Sequence, residues 1–207
     1  MGRKGILIVV SGFSGAGKGT LMKELVRAYD HYALSVSMTT RAPRLGETEG
    51  KEYFFVTHEA FEEEIRREGL VEYARYCDNY YGTPREYVER QLEKGKDVIL
   101  EIEIQGALKV KEKFPTALLM FVMPPSAAEL KKRLVGRGTE SPEVIARRLA
   151  RAGEEAEGIE QYDFIVINDK LEECVGKMHS LIQAAHDAPG RNKEFIENMR
   201  KELEALQ

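Results

Sequence analysis

The sequence predicts an α/β fold, a parallel sheet with helices packed on both faces. Three observations carry that expectation. Four short runs, Ile6–Val10, Asp97–Ile102, Ala117–Met123 and Phe164–Ile167, are dominated by apolar residues without polar alternation, the pattern of strands buried on both faces. Stretches of helical period separate them, as crossover helices do between parallel strands. The first run leads into Gly12-Phe-Ser-Gly-Ala-Gly17-Lys18, a glycine-rich loop of the kind that joins a buried strand to a helix N-terminus.

Taken in order, the first element is the strand Ile6–Val10, followed by the loop at Gly12, Gly15 and Gly17. These glycines allow successive backbone N–H groups to face phosphate oxygens, and Lys18 adds a mobile positive charge for the outer phosphates. Residues from about Ser35 to Tyr81 interrupt the α/β repeat and predict an inserted small lobe. It holds a Pro/Gly-bounded loop from Arg41 to Gly50, one acidic helix over about His58 to Glu68, and strand-like pieces rich in Tyr and Phe. Thr83-Pro84 predicts an N-cap with Pro at the first helical position, and Gly95 the end of that helix. After the strand Asp97–Ile102, Ser126 and Ser141-Pro142 open two further helices in the same way. A glycine-flanked break at 136–141 separates two basic helices. The tail from Arg191 carries Phe195, Ile196, Met199, Leu203 and Leu206 at helical spacing, which predicts an amphipathic helix that must dock on something.

Composition narrows the function classes. The chain has 207 residues, 43% hydrophobic and 32% charged, which suits a domain with a sizeable core and one insertion. A net charge of −4 lacks the basic footprint needed for nucleic-acid backbones or anionic membranes, so bound phosphate must be held by local geometry. Cys77 and Cys174 are expected as free thiols in a reducing compartment. No apolar run approaches a membrane span or a secretory signal, and the expected location is the cytoplasm. His31, His58, His179 and His186 match no motif. His179 and His186 share a helix face and are expected at the surface rather than as metal ligands.

The inserted lobe carries the most specific pattern, Ser37-Met-Thr-Thr-Arg41-Ala-Pro-Arg44-Leu-Gly-Glu-Thr-Glu-Gly-Lys-Glu-Tyr53. Two guanidinium forks three residues apart, constrained by Pro43, suit a phosphate monoester, and a nearby Tyr hydroxyl can add a donor. Glu72 follows, and nine residues later Tyr81-Gly82-Thr83. With the glycine loop, this combination resembles the guanylate kinase family of P-loop nucleoside monophosphate kinases over about residues 5–187.

The resemblance implies a P-loop NTPase-type parallel sheet core flanked by helices, at about 1–34 and 84–187. It also implies a small mixed-sheet GMP-binding lobe at about 35–83 and a helical lid at about 136–150; the amphipathic C-terminal helix over 188–207 extends past the family's usual end. The activity implied is ATP-dependent phosphorylation of GMP to GDP, with Mg²⁺ as cofactor, in a monomer or homodimer. Ser11, Gly12, Phe13, Ser14, Gly15, Ala16, Gly17, Lys18, Gly19 and Thr20 would hold ATP, together with Arg133, Arg137 and Asn168, the last as an adenine contact. Arg41, Arg44, Tyr53 and Tyr81 would hold the GMP phosphate, while Ser37, Glu72 and Thr83 read the base and Glu101 lies close to GMP. Lys18, Arg41, Arg137 and Arg148 would be catalytic.

Gly19 stands where the standard loop has Ser or Thr. Thr20, one place later, and Glu103 are the candidate metal contacts, directly or through water. The family commonly has Asp at the position of Glu103. Glu101 and Glu103 stand two apart at the carboxyl end of a strand, and so are expected on one face, where ligands of α/β sheets sit. Lys131, Lys132 and Arg151 are expected on solvated helix faces.

Guanine chemistry fits the assignment. One carboxylate accepts from the ring N–H and the exocyclic amine, and a hydroxyl serves the carbonyl oxygen, whereas adenine would leave Glu72 unpaired. Two other readings remain open on sequence alone: a kinase for a different small phosphorylated acceptor, and a guanylate-kinase-like interaction module.

Overall fold

The computed structural model describes residues 3–76, 78–136 and 141–206. The main sheet has five parallel strands: β1 (Leu7–Gly12), β2 (Tyr32–Leu34), β7 (Asp97–Glu101), β8 (Leu118–Met123) and β9 (Phe164–Ile167). Their spatial order is β2-β7-β1-β8-β9. Central β1 shows why the apolar runs do not alternate. Ile8 and Val10 enter a core shared with α1 (Lys18–Ala28) and α7 (Leu171–His186), while Leu7 and Val9 enter a second core with α4 (Ile104–Lys113). Both faces of the strand are buried, so Leu7 to Val10 are all apolar, and the one buried polar side chain, Ser11, is hydrogen-bonded.

The inserted lobe is a four-stranded mixed sheet of β3 (Ser37–Thr39), β4 (Tyr53–Phe55), β5 (Leu70–Tyr76) and β6 (Asn79–Pro84), in the order β4-β3-β6-β5. The acidic helix α2 (His58–Arg66) covers it, with the Thr57 side chain accepting from the Ala60 N–H and Phe61 fully buried against Tyr80. The architecture is thus the expected α/β core with a separate mixed sheet.

Several local expectations are corrected. β2 is a strand of only three residues at the sheet edge, too short to show a pattern; Tyr32, 3% exposed, anchors it. Thr83 and Pro84 do not cap as expected. They complete β6, and α3 (Arg85–Glu93) starts one residue later with Pro84 as its N-cap. The Arg85 N–H donates to Gly69 O, which prolongs sheet-like pairing through Pro84.

The other helix signals hold. Gly95, at φ 77°, ends α3 with Lys96 N–H on Gln91 O and Gly95 N–H on Leu92 O, the paired bonds of a Schellman motif. Ser126 Oγ accepts from the Glu129 N–H at the start of α5 (Ala127–Gly136), and α6 (Pro142–Ala156) begins with Ser141 as N-cap and Pro at the first turn.

The two helix-face histidines are not solvated surface groups. His186 Nε2 bonds both carboxylate oxygens of Asp97 at 2.9 and 3.0 Å, and its Nδ1 accepts from Arg3 Nε at 2.6 Å. Asp97 is 2% exposed and also accepts the Ile6 N–H, so His186 satisfies a carboxylate that would otherwise be buried with too few partners. His179 stacks on Tyr29 at 3.8 Å and bonds the Tyr32 hydroxyl. Among the described residues no cluster of His, Cys, Asp and Glu could hold a metal ion alone, and no helix is long and apolar enough to cross a membrane. Cys174 is a buried free thiol, and Cys77 lies outside the described residues.

The tail forms α8 (Lys193–Glu204), which buries none of its residues. Phe195, Met199, Leu203 and Leu206 are exposed and Ile196 is half-buried, so among the described residues the expected docking of this stripe is not made.

Candidate active site

The site lies at the carboxyl ends of β1 and β7, where the main sheet meets the inserted lobe. The loop after β1 turns on glycines that have no room for a side chain. A Cβ on Gly12 would stand 2.1 Å from Val122 O, and Gly17, at φ 88°, is the left-handed N-cap of α1. No acidic residue occupies the first turn of α1, so the positive end of the helix dipole favours an anion there. Lys18 Nζ donates to Gly12 O at 2.7 Å and Phe13 O at 3.4 Å, folded along the loop it serves.

The stretch from Ser11 to Thr20 divides by role. The side chains of Ser11, Phe13 and Ala16 are buried, so these residues can offer a ligand only their backbone. Ser11 Oγ donates to Ile102 O, tying the loop base to the end of β7, and Phe13 packs edge-on against Phe121 at 5.1 Å. Ser14, Gly19 and Thr20 are exposed. Asn168, the expected adenine contact, also has a partner within the chain. It is 7% exposed, and its Nδ2 donates to Ala16 O at 2.8 Å, beneath the loop. Arg133 reinforces the same corner, donating from Nη1 to Asn168 O and from Nε to Glu129.

In the lobe, Arg41 and Arg44 are organised by Glu47, a residue the sequence reading left without a role. Glu47 accepts from Arg41 Nη2 with both carboxylate oxygens, at 2.9 and 3.0 Å, and from the Arg44 N–H at 2.7 Å. The Arg41 guanidinium is the main cause holding the Glu47 carboxyl below its usual range. Arg41 also lies 5.4 Å from the Tyr53 ring centre, and Tyr53 meets Tyr81 edge-on at 6.0 Å. Three of the four expected phosphate contacts, Arg41, Tyr53 and Tyr81, therefore form one cluster, while Arg44 presents an exposed side chain. The signal that could have identified Glu47 is its position: a carboxylate three residues after Arg44 can bond back to the backbone of the same turn.

Glu72 and Thr83 come together across the lobe sheet, Thr83 Oγ1 donating to Glu72 Oε1 at 2.8 Å. The β5–β6 register slips by one residue between Leu70 and Tyr73, so Glu72 lies within a bulge, a device that re-aims a side chain. Burial pushes the Glu72 carboxyl above its ordinary range, against the opposing effect of the Thr83 bond. Ser37 is partly buried at the start of β3.

At the end of β7, strand alternation does not fix the second acid. β7 stops at exposed Glu101, and Glu103 is the N-cap of α4, with its side chain free of any capping bond. Glu103 is engaged instead by Arg151 Nη2. Arg151 is thus on the solvated helix face expected of it and is a cross-cleft partner as well. One turn earlier on α6, Arg148 Nη1 donates to Ser14 Oγ of the loop at 2.7 Å. Lys131 is exposed, and Lys132 lies 3.6 Å from Glu129 on its own helix. Arg137 lies outside the described residues.

Comparison with known proteins gives a consistent result. The family model described as guanylate kinase matches residues 4–185. A guanylate kinase of Caldanaerobacter subterraneus subsp. tengcongensis is 48% identical over 200 residues, covering 97% of each chain. One from Streptococcus mutans is 52% identical over 187 residues, covering 90% of this chain and 89% of its own. Among solved structures, a guanylate kinase from Anaplasma phagocytophilum superposes with a TM-score of 0.70 at 32% identity, covering 92% of this chain and 90% of that one.

Proposed function

The chain belongs to the guanylate kinase family and phosphorylates GMP to GDP, and we propose that it does so with MgATP as donor and with the following division of labour among its residues. The backbone of the glycine loop, the N-terminus of α1 and Lys18 bind the donor phosphates. Lys18 leaves the loop carbonyls for the phosphates, a movement confined to its own side chain. Arg133 and Asn168 brace the donor side. Arg41, Arg44, Tyr53 and Tyr81 hold the GMP phosphate, with Glu47 fixing the two arginines. Ser37, Glu72 and Thr83 read guanine, and Glu101 stands near the acceptor.

The observation that carries the acceptor assignment is the Glu72–Thr83 pair in the β-bulge. A partly buried carboxylate there presents acceptors that match the two adjacent donors of guanine. Adenine would set a ring acceptor against a carboxylate that has lost its water, a mismatch worth about 10⁴-fold or more in selectivity.

Thr20 and Glu103 offer only oxygen donors, both exposed at the cleft, which suits a hard cation that keeps several waters. Thr20 and Glu103 would hold Mg²⁺ directly or through water, and the ion would supply positive charge against the donor phosphates. The chain's own part in transfer is positioning and electrostatics. The acceptor phosphate is already ionised near neutral pH and needs no strong base, and charge developing on the transferred group is met by Lys18, Arg41, Arg148 and Arg137.

The test is an ADP-release assay with MgATP and GMP, AMP, CMP, UMP or dTMP as acceptor. GMP turnover at least about a thousand-fold above AMP is expected. Lys18→Ala is expected to lower turnover by orders of magnitude with folding intact. Turnover without preference for GMP, or an unaffected Lys18→Ala variant, would refute the assignment.

A further inference from the structure

Helix α6 turns Arg148, Arg151 and Glu155 toward the cleft at spacings of three and four residues, one face of the helix. Arg148 reaches the phosphate loop. Arg151 joins two carboxylates, donating from Nη2 to Glu103 at the head of α4 and from Nε to Glu155 Oε1 at 3.2 Å. Glu155 is the more enclosed acid, with its side chain 19% exposed against 71% for Glu103, and it feels the charges of both Lys18 and Glu103. One guanidinium therefore occupies the acidic mouth of the nucleotide site, on the carboxylate assigned above to the metal.

We propose that Arg151 is a positioning residue that competes with Mg²⁺ for Glu103, so that the metal enters by displacing the guanidinium. The inference rests on the reading of Glu103 as a metal contact. Three features make the exchange feasible. The Arg151–Glu103 pair is exposed on both sides, 59% and 71%, and such solvent-screened pairs are weak. A divalent ion offers Glu103 twice the charge. The displaced guanidinium keeps Glu155 on its own helix as a resting partner, so no charge is stranded. In the metal-free protein the same pair holds Glu103 in place at the head of α4 instead of leaving it to swing in solvent.

The test measures metal binding directly, with Mn²⁺ as the probe. The full chain, in excess over a non-hydrolysable ATP analogue, is titrated with Mn²⁺, and free metal is read by electron paramagnetic resonance. Arg151→Gln is expected to tighten Mn²⁺ binding by about two- to five-fold, the range that losing a weak exposed competitor allows. Glu103→Gln is expected to weaken binding, and in that background the Arg151 substitution should have no effect. Arg151→Lys, which keeps the charge without the fork, should fall between wild type and Arg151→Gln. It also serves as the second variant should the first fold poorly.

The apparent Mg²⁺ requirement of turnover should fall in parallel. If Glu103→Gln weakens Mn²⁺ binding but Arg151→Gln leaves it unchanged or weaker, the competition is refuted while the metal assignment stands. If Glu103→Gln leaves the affinity unaltered, the metal assignment itself fails, and the inference with it.

Discussion

Asn168 offers the sharpest separation between what its sequence context suggests and what its surroundings do. Its amide lies beneath the phosphate loop, donating to Ala16 O at 2.8 Å, with both residues nearly or wholly closed to solvent. Asn168→Ala removes that bond and leaves the buried Ala16 carbonyl without its partner, at a cost of about 1–3 kcal/mol. For a chain of this size that corresponds to a melting temperature lower by about 2–12 °C. Because the loop loses its support rather than a base contact, donor use should fall to a similar degree for ATP, GTP and CTP, with the KM for GMP little changed. The assay is thermal and urea unfolding of the variant beside steady-state kinetics with the three donors. An unchanged melting temperature together with a selective loss of ATP preference would refute the bracing role and leave Asn168 as a reader of adenine.

Two glycines of the same loop should behave in opposite ways. Gly12→Ala drives a methyl into the Val122 carbonyl and should abolish stable folding. Gly19→Ala has open space and a helical backbone, and should stabilise by about 0.4–1 kcal/mol in nucleotide-free melts. Glu72→Gln should lose GMP turnover yet gain stability at neutral pH. Burial raises the Glu72 carboxyl in the folded state, so the native protein holds that proton more tightly than the unfolded chain. The penalty of the ionised form then grows as pH rises through the raised value and disappears in acid. Urea melts at acid and neutral pH check this, and a gain that does not shrink in acid would contradict it. Truncation after Asn192 removes a helix with no buried residue; melting temperature and GMP turnover should stay within about 2 °C and twofold of the full chain. A larger loss, or a change of molecular mass beyond the deleted residues in light scattering, would reveal a docked partner for the exposed stripe.

What the sequence by itself determined was local or periodic. Apolar runs marked four of the five core strands, because burial on both faces leaves few polar positions in β1, β7 and β8; β9, at the sheet edge, departs from that expectation and keeps Ile165 and Ile167 exposed. The glycine spacing marked the phosphate loop, because a left-handed N-cap and a close backbone approach at Val122 exclude other residues. Caps at Ser126 and Gly95 were legible because each is completed within one helical turn, and the start of α6 because Ser141 is followed by Pro in the first turn. The tertiary structure alone decided the rest. β2 is three residues that become a strand only beside β7, and Thr83 joins β6 in place of capping α3 because the sheet pairing continues past it. Asn168 reaches the loop across 152 residues of sequence, His186 meets Asp97 across 89, and Arg151 meets Glu103 across 48. Spacing and propensity report forces that act within a turn or a strand. The partner of a long polar side chain is chosen by whichever oppositely charged or unsatisfied group the packing of the core brings within about 3 Å, and that choice exists only once the chain has folded.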